Sequence, residues 1–281
     1  MHTMNKKKKI KASTVVIYVF LSLMLVLYLA PLVWIGLTSF KSRPEIYKAP
    51  FGWPKAFHFE NYAMAWKAGR LGIAMMNSLF VCVITLILTM VIGSMAAFAI
   101  ARMRWKLAGA AMVYILIGMM IPVHCVLIPL FVRFAKIGLS NNLWGLILPY
   151  LTFSLPTCVF IMAGFFRSIP NELLESACMD GCSIFQMFFK ICFPLARTGL
   201  FVTGLMTFIG NWNELLLALV FVSDDTKKTL PVALTKFVTP YQTNYDKMFP
   251  AIMIAIIPTI VVYCMFSNQI VDGLTTGAVK G

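Results

Sequence analysis

The sequence predicts an all-α integral membrane protein of six transmembrane helices. Three observations predict it: a composition too apolar for a water-soluble chain, long stretches without charge, and a basic cluster ahead of the first of them. Of the 281 residues, 60% are apolar and 12% are charged, against roughly 45–50% and about 25% in an ordinary soluble domain. A soluble fold of this size cannot hide so much apolar surface, because most of its exterior must face water. A soluble cytosolic enzyme is therefore excluded first.

The charge-free stretches set the helices. There are 29 residues between Lys11 and Lys41, 31 between Arg70 and Arg102, 26 between Lys106 and Arg133, and 30 between Lys136 and Arg167. Thr198 to Ser223 holds a single charge, Glu214, in 26 residues, and Met248 to Val271 holds none in 24. Each exceeds the ~20 residues of one helical crossing. Helices are expected at 14–38 and about 72–101, 108–132, 143–166, 198–222 and 248–270.

A secretory signal carries ~7–15 apolar residues before a small-residue cleavage site. The run from Val15 to Leu37 is longer and reads as a retained anchor. Orientation follows from the flanks nearest the membrane: Lys6–Lys9 and Lys11 precede the first span, and only Lys41 and Arg43 follow it closely. Both termini are thus expected in the cytoplasm, as a basic tail at 1–13 and a second tail at 271–281. An extracytoplasmic loop falls at 39–70, and a core at 71–270 contains a cytoplasmic loop at 167–197.

The net charge of +14 does not point to nucleic acid, since no Lys/Arg stripe occurs outside the amino-terminal tail; anionic lipid headgroups are the partner such a tail suits. Seven cysteines, Cys82, Cys125, Cys158, Cys178, Cys182, Cys192 and Cys264, are odd in number and mostly inside spans, so they form no disulfide framework. Cys178 and Cys182 are four apart without further ligands, and His124 has no second ligand at metal spacing; both read as packing residues, and no metal site is expected. The first outer loop mixes Pro44, Pro50 and Pro54 with Phe51, Trp53, Phe57, Phe59, Tyr62 and Trp66. It is expected to be extended and turn-rich, with aromatics suited to interfacial anchoring or to docking a partner.

The loop at 167–197 reads as two short helices. Ser168 and Pro170 start the first, Glu172 and Glu175 lie early in it where negative charge suits the helix dipole, and Gly181 stops it. Ser183-Ile184-Phe185-Gln186 opens the second as a capping box, and Pro194 is expected to end it. By pattern alone the loop is either a connector in the headgroup layer or a helix seated in a partner's groove, presenting Leu173, Leu174, Ala177 and Cys178.

Glu175-Ser176-Ala177, three residues, Gly181, nine residues, Ile191, one residue, Phe193-Pro194 resembles the EAA loop of binding-protein-dependent ABC importer permeases. Ser176 stands where that pattern has alanine and Phe193 where it has leucine. Asn77-Ser78, AAFAIAR at 96–102, GLILPY at 145–150, GFFRSIPNELLESACMDG at 164–181, WNELLLALVF at 212–221, TLPVAL at 229–234 and the ending DGLTTGAVKG are similar to the carbohydrate branch, the maltose-permease-G-like subunits. The resemblance covers about 70–281.

That resemblance implies a type I ABC importer permease fold in a bacterial cell membrane. It implies ATP-driven translocation of a sugar handed over by an extracytoplasmic binding protein. Partners would be a sister permease, embraced by the first helix, and two ATPase subunits carrying ATP and Mg, with no cofactor and no catalysis in this chain. The absence of any Gly-Lys dipeptide agrees, since a phosphate loop of the G-x-x-x-x-G-K-[ST] type is then impossible. The residues implied in coupling to the ATPase are Glu172, Glu175, Ser176, Ala177, Asp180, Gly181, Ile191 and Pro194, with tail contacts at Gly277 and Lys280, unless the tail merely frays.

Glu214 is the one charge near a span's interior, where burial costs roughly 2.5–3.5 kcal/mol and a function is the default reading. With Asn211, three residues back on the expected helical face, and Trp212 and Asn213, it either lines a translocation path or clasps a neighbouring helix. Thr85, Thr89, Gly93, Ala97 and Ala101 form a small-residue ridge expected to let helices approach closely. Pro122, Pro129, Pro149, Pro156, Pro250 and Pro258 are expected to interrupt spans. Rival readings are an importer permease for a non-sugar solute and an ion-driven transporter, which would show repeated halves and intramembrane charges.

Overall fold

The computed structural model describes residues 12–239 and 243–278, all of whose longer elements are helical. The tail positions Lys6–Lys9, Lys11 and Lys280, together with His2, lie outside the described residues. Four helices are long and apolar enough to cross a membrane alone, Ser13–Thr38, Leu71–Arg102, Trp144–Arg167 and Tyr245–Phe266. Two sharply bent pairs, Ala108–Met120 with Val123–Lys136 and Ile184–Leu195 with Arg197–Trp212, raise the count to six when each is taken as one span.

The chain divides into two compact units, one formed by 1–65 and 237–253, the other by 66–236 and 254–281. In the first, α1 (Ala12–Thr38) runs past Pro31 and leads into a loop that is folded rather than extended. Helix α2 (Arg43–Lys48) and α3 (Glu60–Gly69) form there because Pro44 occupies a first-turn position, where its missing N–H is no loss, and Glu60 suits the start of α3. The loop is organised around Lys41, fully buried, whose Nζ donates to the carbonyls of Ala49 at 3.0 Å and Pro50 at 2.9 Å. Asn61 Nδ2 donates to the carbonyls of Ser39 and Lys41 at 3.0 and 2.9 Å, and Phe57, Phe59 and Tyr62 surround the Phe40 ring. These aromatics pack the loop itself.

In the second unit, α4 (Leu71–Leu88), a π-helical turn (Thr89–Gly93) and α5 (Ser94–Arg102) make one continuous span. The chain then passes through α6 (Ala108–Met120) and α7 (Val123–Lys136) to α8 (Trp144–Arg167). Helix α8 is the spine: α4, α5, α6 and α12 (Arg197–Trp212) all pack on it, and Leu146, Tyr150, Cys158, Met162, Ala163 and Phe166 are buried along it. The small-residue ridge is buried as expected at Thr85, Thr89, Gly93 and Ala97. A row of every fourth residue drifts about 40° per step around an α-helix; the wider π turn in its middle delays that drift, so the row keeps facing α8.

Two expected spans are interrupted. The third breaks at Ile121–Pro122, where the two halves meet at 91°. Proline disfavours a helical conformation in the residue before it, and Ile121 is extended at φ −77°, ψ 112°. The fifth was expected to be one helix over 198–222, but α12 stops at Trp212 and only a short α13 (Leu216–Phe221) follows. The last, α15 (Tyr245–Ala278), is unbroken and runs through the expected tail boundary at 271; Pro250 and Pro258 lie inside it, as Pro129 lies inside α7 and Pro149 and Pro156 inside α8, so of the six prolines only Pro122 marks a break. Between α13 and α15, α14 (Leu230–Thr235) is held to span two: Ser78 Oγ accepts from Leu230 N at 2.8 Å, and Asn77 Nδ2 donates to the carbonyls of Thr226 and Lys228 at 2.9 and 3.0 Å. Around the same segment, hydrogen bonds from Lys228 and Lys236 hold the Asp225 carboxyl below the usual carboxylate range.

A Cβ on Gly93 would sit 2.5 Å from Cys158 Sγ. Gly93→Val is expected to cost about 1–3 kcal/mol, the usual range for overpacking, read as a lower thermal midpoint of the purified membrane protein. Adding Cys158→Ala should recover part of the loss.

Candidate coupling loop and polar cluster

In the loop at 167–197, α9 (Asn171–Met179) starts after Pro170 and ends in a Schellman motif. Gly181 adopts φ +76°, its N–H donates to Cys178 O at 3.0 Å, and Cys182 N–H donates to Ala177 O at 2.9 Å. Glycine is needed there because a left-handed residue with a Cβ is strained. The capping box forms as the sequence predicts, with Ser183 N donating to Gln186 Oε1 at 2.8 Å and Gln186 N donating to Ser183 Oγ at 3.3 Å. The second helix continues as α10 (Ile184–Gln186), a π turn (Met187–Cys192) and α11 (Phe193–Leu195). Pro194 does not end it: proline lies in the first turn of α11, and the bend comes at Ala196.

The expected outward face of α9 is partly reversed. Ala177 is buried and Leu174 packs on the inner core, so these two hold the helix to its own chain. Outward lie Glu172, Leu173, Glu175, Ser176, Cys178, Met179 and Asp180; Met179, at 89% exposure, was not singled out from the sequence. Cys178 is therefore no packing residue, and His124, at the start of α7, is exposed as well. Ser176 Oγ donates to Glu172 O at 2.8 Å, so the hydroxyl that replaces a methyl is satisfied within the helix. Ile191 is half-buried against the core, and Phe188 stands among the rings of Phe98, Phe166, Phe189 and Phe193 at centroid distances of 4.8 to 6.1 Å.

At the second candidate site, Glu214 lies outside α12, in the turn after Trp212, so it shares no helical face with Asn211. Its carboxylate caps α13: Oε1 accepts from Leu217 N at 2.7 Å and Oε2 from Ala218 N at 3.1 Å. Tyr150 OH also donates to Oε2 at 2.6 Å, which clasps the turn to α8. Trp212 is buried, its ring stacked on Phe208 at 5.6 Å and its Nε1 donating to Ala255 O at 3.2 Å, so it offers no open face to a sugar. Asn213 is exposed and donates to Ile209 O at 3.0 Å. Asn211 Oδ1 accepts from Ser154 Oγ at 3.5 Å, while its buried Nδ2 finds no acceptor among the described residues. Tyr150 and Ser154 were not recognised in the sequence as partners; a tyrosine hydroxyl inside a charge-free span was the available signal. Of the tail residues, Gly277 falls within α15.

The molecule is thus a helical membrane protein with one short helix packed on its core and that helix's polar, partly apolar face left exposed. The chain belongs to the family of binding-protein-dependent transport system inner membrane components, whose pattern matches residues 89–275. It is 35% identical to the diacetylchitobiose uptake system permease NgcG of Streptomyces coelicolor over 91% of this chain and 85% of that one. It is also 36% identical to the trehalose transport permease SugB of Mycobacterium tuberculosis over 90% and 93%. Its fold matches a chain of the bacterial ABC transporter that imports the acidic polysaccharide alginate, with a TM-score of 0.80 at 22% identity over 94% of this chain and all of that one.

Tyr150→Phe removes a donor from a partly buried carboxylate and is expected to destabilise the protein by about 1.5–3 kcal/mol, measured as a thermal shift. Glu214→Gln should cost less than Glu214→Ala, because its amide oxygen can still cap α13.

Proposed function

We propose that this chain is the transmembrane permease subunit of an ATP-driven importer that translocates a sugar, of di- or oligosaccharide size, delivered by an extracytoplasmic binding protein. The observation that carries the reading is α9. Its inner face is fixed to the core through Ala177 and Leu174 while its outer face presents Glu172, Leu173, Glu175, Ser176, Met179 and Asp180. A short helix held in this way moves as a rigid body when a partner's lobes close on it.

In this reading the partner is a pair of ATPase subunits that bind ATP and Mg, since this sequence has no phosphate loop. Ile191 and Pro194 brace the loop from behind, and Gly277 and Lys280 reach the same partners from the carboxyl tail. The exposed apolar length of α1 suits a sister permease, and the inner loop and both termini lie in the cytoplasm. The relatives named for diacetylchitobiose and trehalose transport support a sugar as cargo. The translocation path is assigned to the neighbourhood of Asn211, Asn213 and Glu214, where the free amide of Asn211 suits a hydroxylated solute and Trp212 only backs the turn.

Sugar uptake and ATP hydrolysis in vesicles carrying the whole co-encoded set test this. Glu175→Lys and Gly181→Val are expected to lower both at least tenfold while the complex still inserts. Full uptake in both variants would overturn the coupling role, and uptake that persists after ATP depletion would overturn the energy source.

A further inference from the structure

We propose that Arg102 is a positioning residue that forms the second mount of α9 and ties its movement to span two; the inference rests on the coupling role given to α9 above. Arg102 is the last residue of α5, and Met103 leaves the helix in an extended conformation at φ −83°, ψ 134°. Its guanidinium reaches the place where α8 ends and α9 begins. Nε donates to Phe166 O at 2.7 Å, Nη1 to Asn171 Oδ1 at 2.6 Å, and Nη2 to Arg167 O at 3.4 Å and to Ile169 O.

Those acceptors share a physical reason for needing a cation. The last carbonyls of a helix have no partner within it, and they carry the negative end of its dipole. Phe166 O, which also accepts from Ile169 N at 3.2 Å, and Arg167 O are such groups at the end of α8, and Ile169 O belongs to the link before Pro170. One planar guanidinium with five donors satisfies all three and still reaches the first residue of α9. Covalently, α9 is joined only to α8 on this side; through Arg102 it is joined to α5 as well.

The mechanical consequence follows from counting points of attachment. At its far end α9 is held by the buried Ala177 and by the turn at Gly181. A helix held at one end pivots when pushed at the other, and the push is spent on the pivot. A helix held at both ends carries the push into its supports. The supports here are α8 and, by way of Arg102, α5, which continues without a break through the π turn into α4. Displacement of α9 therefore moves two spans together.

The test uses the full complex of both permeases, the ATPase subunits and the binding protein in proteoliposomes, reading sugar moved per ATP hydrolysed. Arg102→Gln is expected to lower that ratio about fivefold or more, the scale of a typical coupling free energy. Arg102→Lys, which keeps the charge but not the fork, should stay nearer to Arg102→Gln than to wild type. Asn171→Ala removes one bond at the surface and should shift the ratio in the same direction, and it decides the matter if Arg102→Gln fails to assemble. An unchanged ratio in assembled Arg102→Gln, even with a lower yield or melting temperature, would mean a prop for stability only and would overturn the proposal. Gly181→Val separates the two layers. If it uncouples while Arg102→Gln does not, the second mount falls alone; if neither uncouples, the coupling role of α9 falls first.

Discussion

The close approach of span two to α8 is the constraint on which the rest of the second unit depends. In lipid, no hydrophobic drive presses helices together, and association relies on van der Waals contact along small residues. Gly93 brings the backbone of the π turn against Cys158, whose Sγ donates to Thr89 O, and Ala97 and Phe98 extend the contact toward the Arg102 end of the span. The same cluster goes on through Phe166 and Ile169 to Ala177, Phe188 and Cys192 of the inner loop. The loop is thereby part of the membrane core, which is why a helix of nine residues, too short to be stable alone in water, has a fixed position.

The interruptions are as consequential as the contacts. A backbone group left unpaired within the hydrocarbon layer costs several kcal/mol, so each break in a span must carry its own partners. At the end of α12 the partner is Glu214, whose carboxylate accepts from Leu217 N and Ala218 N. The charge that looked anomalous in a span is thus explained by the break beside it. Tyr150 adds a third donor and fixes the break against α8. The clasp and the passage were alternative readings of one motif; Glu214 and Trp212 are engaged with their own chain as the clasp requires, while the buried Asn211 Nδ2 has no acceptor among the described residues.

How much was legible in the sequence differs by physical cause. Helix number and class follow from charge-free length, since the cost of burying charge is large and local. The Gly181 turn and the Ser183 capping box were legible for a similar reason, because each depends on two or three neighbouring residues. Breaks were less so. Pro122 did mark one, but α12 runs through Gly210 before it stops at Trp212, and the turn beyond is fixed by a tyrosine 64 residues before Glu214. The face of α9 was misassigned at Ala177, because helical spacing shows that residues share a face and not which side the core takes. Arg102 marks only the end of a charge-free stretch in the sequence, since its bonds go to carbonyls that no sequence pattern records.

Selectivity is constrained by the same economy of polar groups. A site that discriminates strongly does so by leaving its own buried donors and acceptors unpaired when the wrong solute enters. Near the α12 turn most polar atoms are already committed: the Glu214 carboxylate to three donors, the Trp212 N–H to Ala255 O and the Asn213 amide to Ile209 O. The Asn211 Nδ2 is the buried donor left over there among the described residues. One amide discriminates weakly between sugars that all offer hydroxyl acceptors. Under the proposed function, the choice among sugars then rests on the delivering protein and the sister subunit rather than on this turn.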